Sequence, residues 1–226
     1  MTAFAGFGPG VHGFFAGLQI DNSRDYFEAH RAFFEDAIRD QMDALLNELG
    51  DTFGGEVKLF RQNRDIRFSA DKSPYKTNTY GVLRGSELGP QGLYLSISAR
   101  GLVAGSGYHA MARDQLERYR EAVDDETAGP RLAALADAAQ RTGLELWGQS
   151  LATAPRGYGI DHAHIELLRR KGLALGATRP CPDGIARDDA LTFVADTWRA
   201  AAPVTTWLDA HVGPSTLEPD RGRRRR

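Results

Sequence analysis

Cysteine occurs once in the 226 residues, at Cys181, so no internal disulfide can form. That usage fits a reducing compartment. No apolar run approaches the roughly 20 residues that a membrane-spanning helix needs, so no membrane partner is expected. The stretch from Met1 to Leu18 is apolar but carries no basic n-region, so no signal peptide is expected and the cytoplasm is the default. A strong excess of either charge is also missing, with 28 Lys and Arg against 30 Asp and Glu. The distribution is uneven, however. Formal net charge is −2, and the five arginines Arg221 and Arg223 to Arg226 leave −7 for residues 1–220. An acidic body argues against wholesale nucleic-acid binding. The Arg-rich end suits a flexible, solvated tail over residues 213–226, or nonspecific contact with polyanions.

What is present describes an ordinary globular chain. At 42% hydrophobic and 26% charged, the composition places it outside the disordered class. Its length suits a single domain over residues 1–212, burying roughly 70% of its unfolded surface. A short helix is expected at about Val11 to Gln19, then a long one from Asn22, as N-cap, to Leu49, stopped by Gly50. Within it Phe27, His30, Phe34, Ile38, Met42, Leu45 and Leu49 recur every three or four residues, the period of an amphipathic helix. The period then changes. Val57–Phe60, Ile66–Phe68, Tyr80–Leu83, Gly92–Ala99 and Leu102–Ser106 read as strands, with Arg100 and Gly101 as a hairpin turn. Helices return at Ala112–Val123 and Arg131–Arg141, with a short strand at Leu144–Trp147. A helix from Asp161 to Lys171 follows, then a pair, Arg187–Ala201 and Val204–Val212, divided by Pro203. The expected class is α+β, with a mostly antiparallel central sheet flanked by N-terminal and C-terminal helices.

The densest polar stretch runs from Phe60 to Lys76. It holds Arg61, Arg64, Arg67, Lys72 and Lys76 against only Asp65 and Asp71, a local excess of three positive charges. An extended Asp65–Phe68 would place Asp65 and Arg67 on one face. Ser73-Pro74 looks like an N-cap followed by a first helical residue, which would leave free N–H groups beside Lys72, Tyr75 and Lys76. Such a site suits a phosphate or carboxylate. The same charges would equally suit a salt-bridge network that fixes a loop.

Other candidates are weaker. Arg24, Glu28, Arg31, Glu35 and Arg39 have the spacing of a solvated helical ladder. His30, beside Phe27 and Phe34, reads as a half-buried, hydrogen-bonded histidine more readily than as a general base. Arg156-Gly-Tyr158 could close over a ligand. Asp161, His162 and His164 have no distant partners completing a metal set, so neither a metal nor another cofactor is expected. Gly105-Ser-Gly107 fits a dinucleotide fingerprint only superficially, because its surroundings read as an antiparallel meander.

The residues Phe14 to Leu18, Asn22-x-Arg24-x-Tyr26-Phe27-x-x-His30-Arg31 and the run Phe60 to Lys76 resemble the domain-of-unknown-function family numbered 2461. So do Pro155-Arg156-Gly157-Tyr158, His162 and Glu166-x-Leu168-x-x-Lys171, and the likeness spans about residues 4–212. The chain departs at Asp21, Tyr26, Asn63 and Ala70, where the family pattern has asparagine, tryptophan, an apolar or aromatic residue, and lysine. The resemblance implies a bacterial-type intracellular α+β domain and brings no substrate, cofactor or active residue.

Three functional expectations follow. The first is binding, with or without enzymatic turnover, of a small phosphate- or carboxylate-bearing ligand. Arg61, Arg64 and Arg67 would clamp the anion, Lys72 and Lys76 would add charge, and Arg24, Arg31, Arg156, Tyr75 and Tyr158 would complete the site. Asp65 or His30 would be the acid–base group, positioned by Tyr75 or Arg31. The second is a nucleic-acid-binding or processing module that stacks bases on Tyr75 and Tyr80, which the acidic body disfavours. The third is a non-catalytic structural interaction domain.

Overall fold

The computed structural model describes residues 3–67, 69–86, 88–89 and 92–217. A six-stranded antiparallel sheet organises them, in the order β2-β3-β4-β5-β7-β6. Its strands are β2 (Glu56–Leu59), β3 (Asn78–Arg84), β4 (Leu93–Ser98), β5 (Gly101–Tyr108), β6 (Glu145–Trp147) and β7 (Leu173–Arg179). Two short strands, β1 (Gly6–Phe7) and β8 (Ile185–Ala186), pair separately. The helices are α1 (Gly10–Ile20), α2 (Arg24–Ala29), α3 (Arg31–Phe33), α4 (Asp40–Phe53), α5 (Arg113–Asp124), α6 (Ala128–Arg141), α7 (Ile165–Leu168) and α8 (Arg187–His211). The α+β class and the antiparallel sheet flanked by helices are as the sequence implied.

The expected long helix after Asn22 is segmented. It breaks at His30, and Phe34–Arg39 form a π-helical turn before α4 begins. The spacing explains the wide turn. Phe34, Ile38 and Met42 are four residues apart, and in an α-helix each such step drifts about 40° around the axis. A π turn takes up the drift and keeps all three side chains on the core face, where each is at most 5% exposed. Helix α4 runs through Gly50 and ends at Phe53, where Gly54 takes a positive φ (69°) that favours glycine. Gly50 is therefore not the stop. Nor is Asn22 the cap: Ser23 accepts a hydrogen bond from the Tyr26 N–H (3.1 Å).

Other corrections have identifiable causes. Strand β7 escapes the sequence because Leu-Ala-Leu-Gly-Ala-Thr-Arg has one β-branched residue and a continuously buried first half. The expected strand at Ile66–Phe68 does not form: Asp65 and Ile66 are irregular, Arg67 lies in a turn, and Phe68 lies outside the described residues. No helix starts at Ser73-Pro74; Tyr75 instead forms an isolated antiparallel bridge with Asn63. The expected Asp161–Lys171 helix shrinks to α7, since the Leu151 N–H and the Lys171 N–H tie the following residues and 149–151 together (2.8 and 2.7 Å). Pro203 lies inside α8 rather than dividing it. It is exposed, so water can serve the carbonyl that lacks an N–H partner. Gly105 lies within β5 as expected, and the strand continues past Ser106 through Gly107 to Tyr108.

The helices lie on one face of the sheet. Leu83, Leu93, Leu95, Ile97, Leu102 and Ala104 point into a core shared with α1, α4 and α8. Leu173 and Leu175 point into a second core with α5, α6 and the end of α8. At 25 cal/mol per Å², burial of each large aliphatic chain contributes roughly 1.5–3 kcal/mol. No helix of the described residues is long and apolar enough to cross a membrane.

Candidate anion-binding cleft

Residues 60–78 leave β2, make an excursion, and return as β3. Backbone pairing holds the base of the excursion: the Arg64 N–H donates to the Pro74 carbonyl (2.8 Å) and the Lys76 N–H to the Gln62 carbonyl (2.9 Å). Gln62, one of the buried polar side chains, reinforces it by donating to the Lys76 carbonyl and accepting from the Thr79 hydroxyl (2.9 Å). Tyr75 then docks the excursion on the helices, with its ring stacked on Phe27 at a centroid distance of 4.1 Å.

Two carboxylates shape the tip. Asp71 accepts from the Ser73 N–H (2.9 Å) and hydroxyl (2.6 Å) and pairs with Arg64. Those Ser73 hydrogen bonds, followed by the Arg64 guanidinium, hold the Asp71 carboxyl well below its ordinary range. Asp65 receives a two-pronged contact from Arg67 (2.9 and 2.6 Å), which lowers its pKa to about 2. Lys72 donates to the Ile66 carbonyl (3.0 Å). The local excess of three positive charges thus resolves into named residues. Arg64 and Arg67 are neutralised by Asp71 and Asp65, and Arg61, Lys72 and Lys76 have no carboxylate partner among the described residues. Lys76 is the most constrained of these. Burial, then the nearby Arg61 charge, lowers the pKa of its ammonium group, which donates to the Arg61 carbonyl and lies 4.9 Å above the Tyr80 ring.

Between this excursion and the end of α1 lies a cleft of about 410 Å³. Arg64, Lys76, Asn22, Asn78, Gln19 and Ser73 supply polar groups to its lining, along with Asp71, Thr77, Tyr75 and Leu18. Of the residues singled out in the sequence, Arg64, Tyr75 and Lys76 share this cleft. Gln19, Thr77 and Asn78 escaped notice, since nothing in their spacing signals a site.

The remaining candidates lie elsewhere. Arg67 and Arg61 are exposed, and neither lines the cleft. Arg31 pairs with Glu28 (2.6 Å) and Glu35 (3.5 Å), and its guanidinium lies 5.4 Å from the Phe27 ring centre. Arg24 approaches Glu28 at 3.9 Å. His30 is exposed rather than half-buried; it stacks on Tyr26 and its Nδ1 lies 2.8 Å from the Tyr26 carbonyl. Arg156 is exposed and Tyr158 packs against the second core, so this pair is associated with α5 and α6. Burial, then Asp124 and Glu121, raises the Tyr158 pKa. Near it, His162 Nε2 contacts Asp124 (3.0 Å) while Nδ1 accepts the His164 N–H (3.0 Å). Both ring nitrogens are engaged, which describes a loop clamp and not a free base. No group of three or more His, Cys, Asp or Glu suited to a metal ion occurs among the described residues.

Neither the curated proteins nor the solved structures contain a match to this chain. A family model described as "Conserved hypothetical protein (DUF2461)" does match, over residues 11–207, and the chain belongs to that family.

Proposed function

We propose that the cleft between α1 and the 60–78 excursion binds a small ligand carrying a phosphate or carboxylate. The observation that carries this reading is the pairing of Lys76 with Arg61. Lys76, partly desolvated and close to the Arg61 charge, lines a polar cleft and has no carboxylate partner among the described residues. Such an arrangement costs free energy in the empty protein and is relieved by an incoming anion. Asn22, Gln19 and Asn78 provide amide groups around the same space, able to donate to or accept from the rest of the ligand. The Arg64–Asp71 pair then acts as the frame of the excursion, and Asp65–Arg67 lies exposed.

Thermal unfolding over a series of phosphate esters and organic acids tests the reading. A ligand at 100 times its dissociation constant adds about 2.7 kcal/mol to wild type. Lys76→Met, which keeps the chain length and removes the charge, should lose most of that gain. If no phosphate or carboxylate compound stabilises wild type in a saturable way, the reading fails.

A further inference from the structure

The sheet face turned away from the helices is not an ordinary solvated face. Alternation along the strands assigns its residues. Gly81, Leu83 and Val57 face α4: a Cβ on Gly81 would meet the Leu46 side chain at 2.4 Å, and one on Gly50 would sit 3.5 Å from Leu83 and 3.6 Å from Val57. Their neighbours Lys58, Phe60, Tyr80 and Val82 therefore point the other way. Register carries that face across the sheet, through Val82↔Tyr94, Tyr94↔Gly105 and Gly105↔Gly176, to Glu145 and Trp147 on β6. Phe60, Tyr80, Tyr94 and Trp147 are all partly exposed, and none belongs to either core.

These four rings form a row across the strands. Phe60 stacks on Tyr80 with centroids 4.6 Å apart, and Tyr80 stands 6.0 Å from Tyr94. Opposite Tyr94 the strands carry Gly105 and Gly176, and the Trp147 ring occupies the space their side chains would fill. A Cβ there would fall 2.4 and 2.0 Å from its ring carbons. With the Trp147 ring lying over β5 and β7, the row of rings reaches from β2 across between three and four strand spacings, or roughly 17 Å. That is several times the width of one base. Cations mark one end: Lys58 lies 5.2 Å from the Phe60 ring centre and Lys76 4.9 Å from that of Tyr80, with Arg61 close to Lys76. Lys58, Arg61 and Lys76 have no carboxylate partner among the described residues.

We infer that this open face binds single-stranded nucleic acid. Its bases pack against the aromatic row, and its phosphates lie along Lys58, Arg61 and Lys76. A row of partly exposed rings flanked by unpaired cations is the combination that sequence-tolerant single-strand binding uses. A peptide partner would account for the rings but not for the unpaired positive charges. A lone nucleotide would leave most of the row uncovered. The negative charge of residues 1–220 works against a polymer at a distance, so binding should be moderate and confined to low salt. This inference rests on the outer face and not on the cleft ligand, although Lys76 serves both.

The test uses the full chain and a labelled oligothymidylate of about ten nucleotides, read by anisotropy and by tryptophan quenching. Trp198 and Trp207 are buried, so quenching reports on Trp147. Saturable binding with quenching is expected, with quenching absent in Trp147→Phe. Tyr80→Ala should weaken binding about tenfold, which corresponds to roughly 1.4 kcal/mol. Tyr80→Phe should retain binding and so guard against misfolding as the cause. Stabilisation by small phosphates should survive Tyr80→Ala, which separates this inference from the cleft reading. Three results would overturn it. One is the absence of binding at low salt. Another is thymidine monophosphate competing as well as the oligomer. The third is equal displacement by inorganic polyphosphate with no effect of Tyr80→Ala, which would assign binding to the Arg-rich tail.

Discussion

Asn22 and Tyr75 are joined by two hydrogen bonds across 53 positions of sequence: the Tyr75 N–H donates to Asn22 Oδ1 (3.0 Å), and Asn22 Nδ2 donates to the Tyr75 carbonyl (3.2 Å). A side-chain amide here imitates one rung of a β ladder and fastens the charged excursion to the segment between α1 and α2. Tyr75 is buried, so its N–H has little access to water once that partner is lost. Asn22→Ala should cost about 1–3 kcal/mol, as for other buried backbone groups left unsatisfied. Urea unfolding measures it, and a midpoint equal to wild type would show that the rung is dispensable. The same variant should weaken binding of any anion that stabilises wild type, because Asn22 lines the cleft.

Phe34 tests the core that carries the site. Its ring lies 5.6 Å from Phe14 and 5.1 Å from Phe27, and it is 5% exposed. Phe34→Ala removes a ring that knits α1 to α2 and the π turn, with an expected loss of about 3–5 kcal/mol. A soluble variant with an unchanged melting temperature would contradict this packing.

Periodicity alone shows most of the fold, because burial repeats along a helix or strand. Phe27, Ile38, Met42, Leu45 and Leu49 could be assigned to the core from spacing alone. The charge excess at 61–76 was likewise visible. What spacing could not reveal was where each charge ends. The pairing of Asp71 with Arg64, seven positions apart, depends on the path of an irregular segment that no periodic signal encodes. Asn22 looked like a helix cap because an isolated N-terminal signal fits Asn and Ser equally well; the partner that claims it is remote in sequence. Strand β7 is hidden by its small residues, one of which, Gly176, leaves the space that the Trp147 ring fills.

Acid should loosen the excursion before the core. The Ser73 hydrogen bonds and the Arg64 guanidinium lower the Asp71 pKa relative to 3.8, so its ionised form favours the folded chain. This contribution is complete above the ordinary carboxylate value. It declines as pH falls below that value toward the lowered one. The stability difference between wild type and Asp71→Asn should therefore be full at neutral pH and shrink only below about pH 4. Urea titrations at a series of pH values measure it, and a difference constant down to pH 2 would remove Asp71 as the source.

Lys76 has the opposite sign. Its folded pKa lies below the ordinary lysine value of 10.5, so the charged form opposes folding. That penalty is full at neutral pH and is relieved as pH rises through the lowered pKa toward 10.5. Wild type should thus gain stability relative to Lys76→Met over that alkaline window in the absence of anions. Saturating phosphate should abolish the gain, because a bound anion removes the penalty on the charged lysine. Identical alkaline profiles for the two proteins would show that Lys76 is not under electrostatic strain.

Arg67 and Arg64 separate the exposed tip of the excursion from the cleft. Arg67 pairs with Asp65 in the open, its side chain 76% exposed, and does not line the cleft. Exposed pairs of this kind contribute little, since water and salt screen them. Arg67→Ala should leave the urea midpoint and the response to sulfate or phosphate unchanged. Arg64 is 28% exposed, holds Asp71, and lines the cleft. Arg64→Ala should lower the midpoint and also remove much of the anion response, whereas Arg64→Lys should restore the charge without the planar fork. Unfolding of wild type and the three variants, with and without phosphate, distinguishes the roles. Arg67→Ala abolishing the anion effect while Arg64→Ala leaves it intact would move the anion out of the cleft to the exposed tip of the excursion.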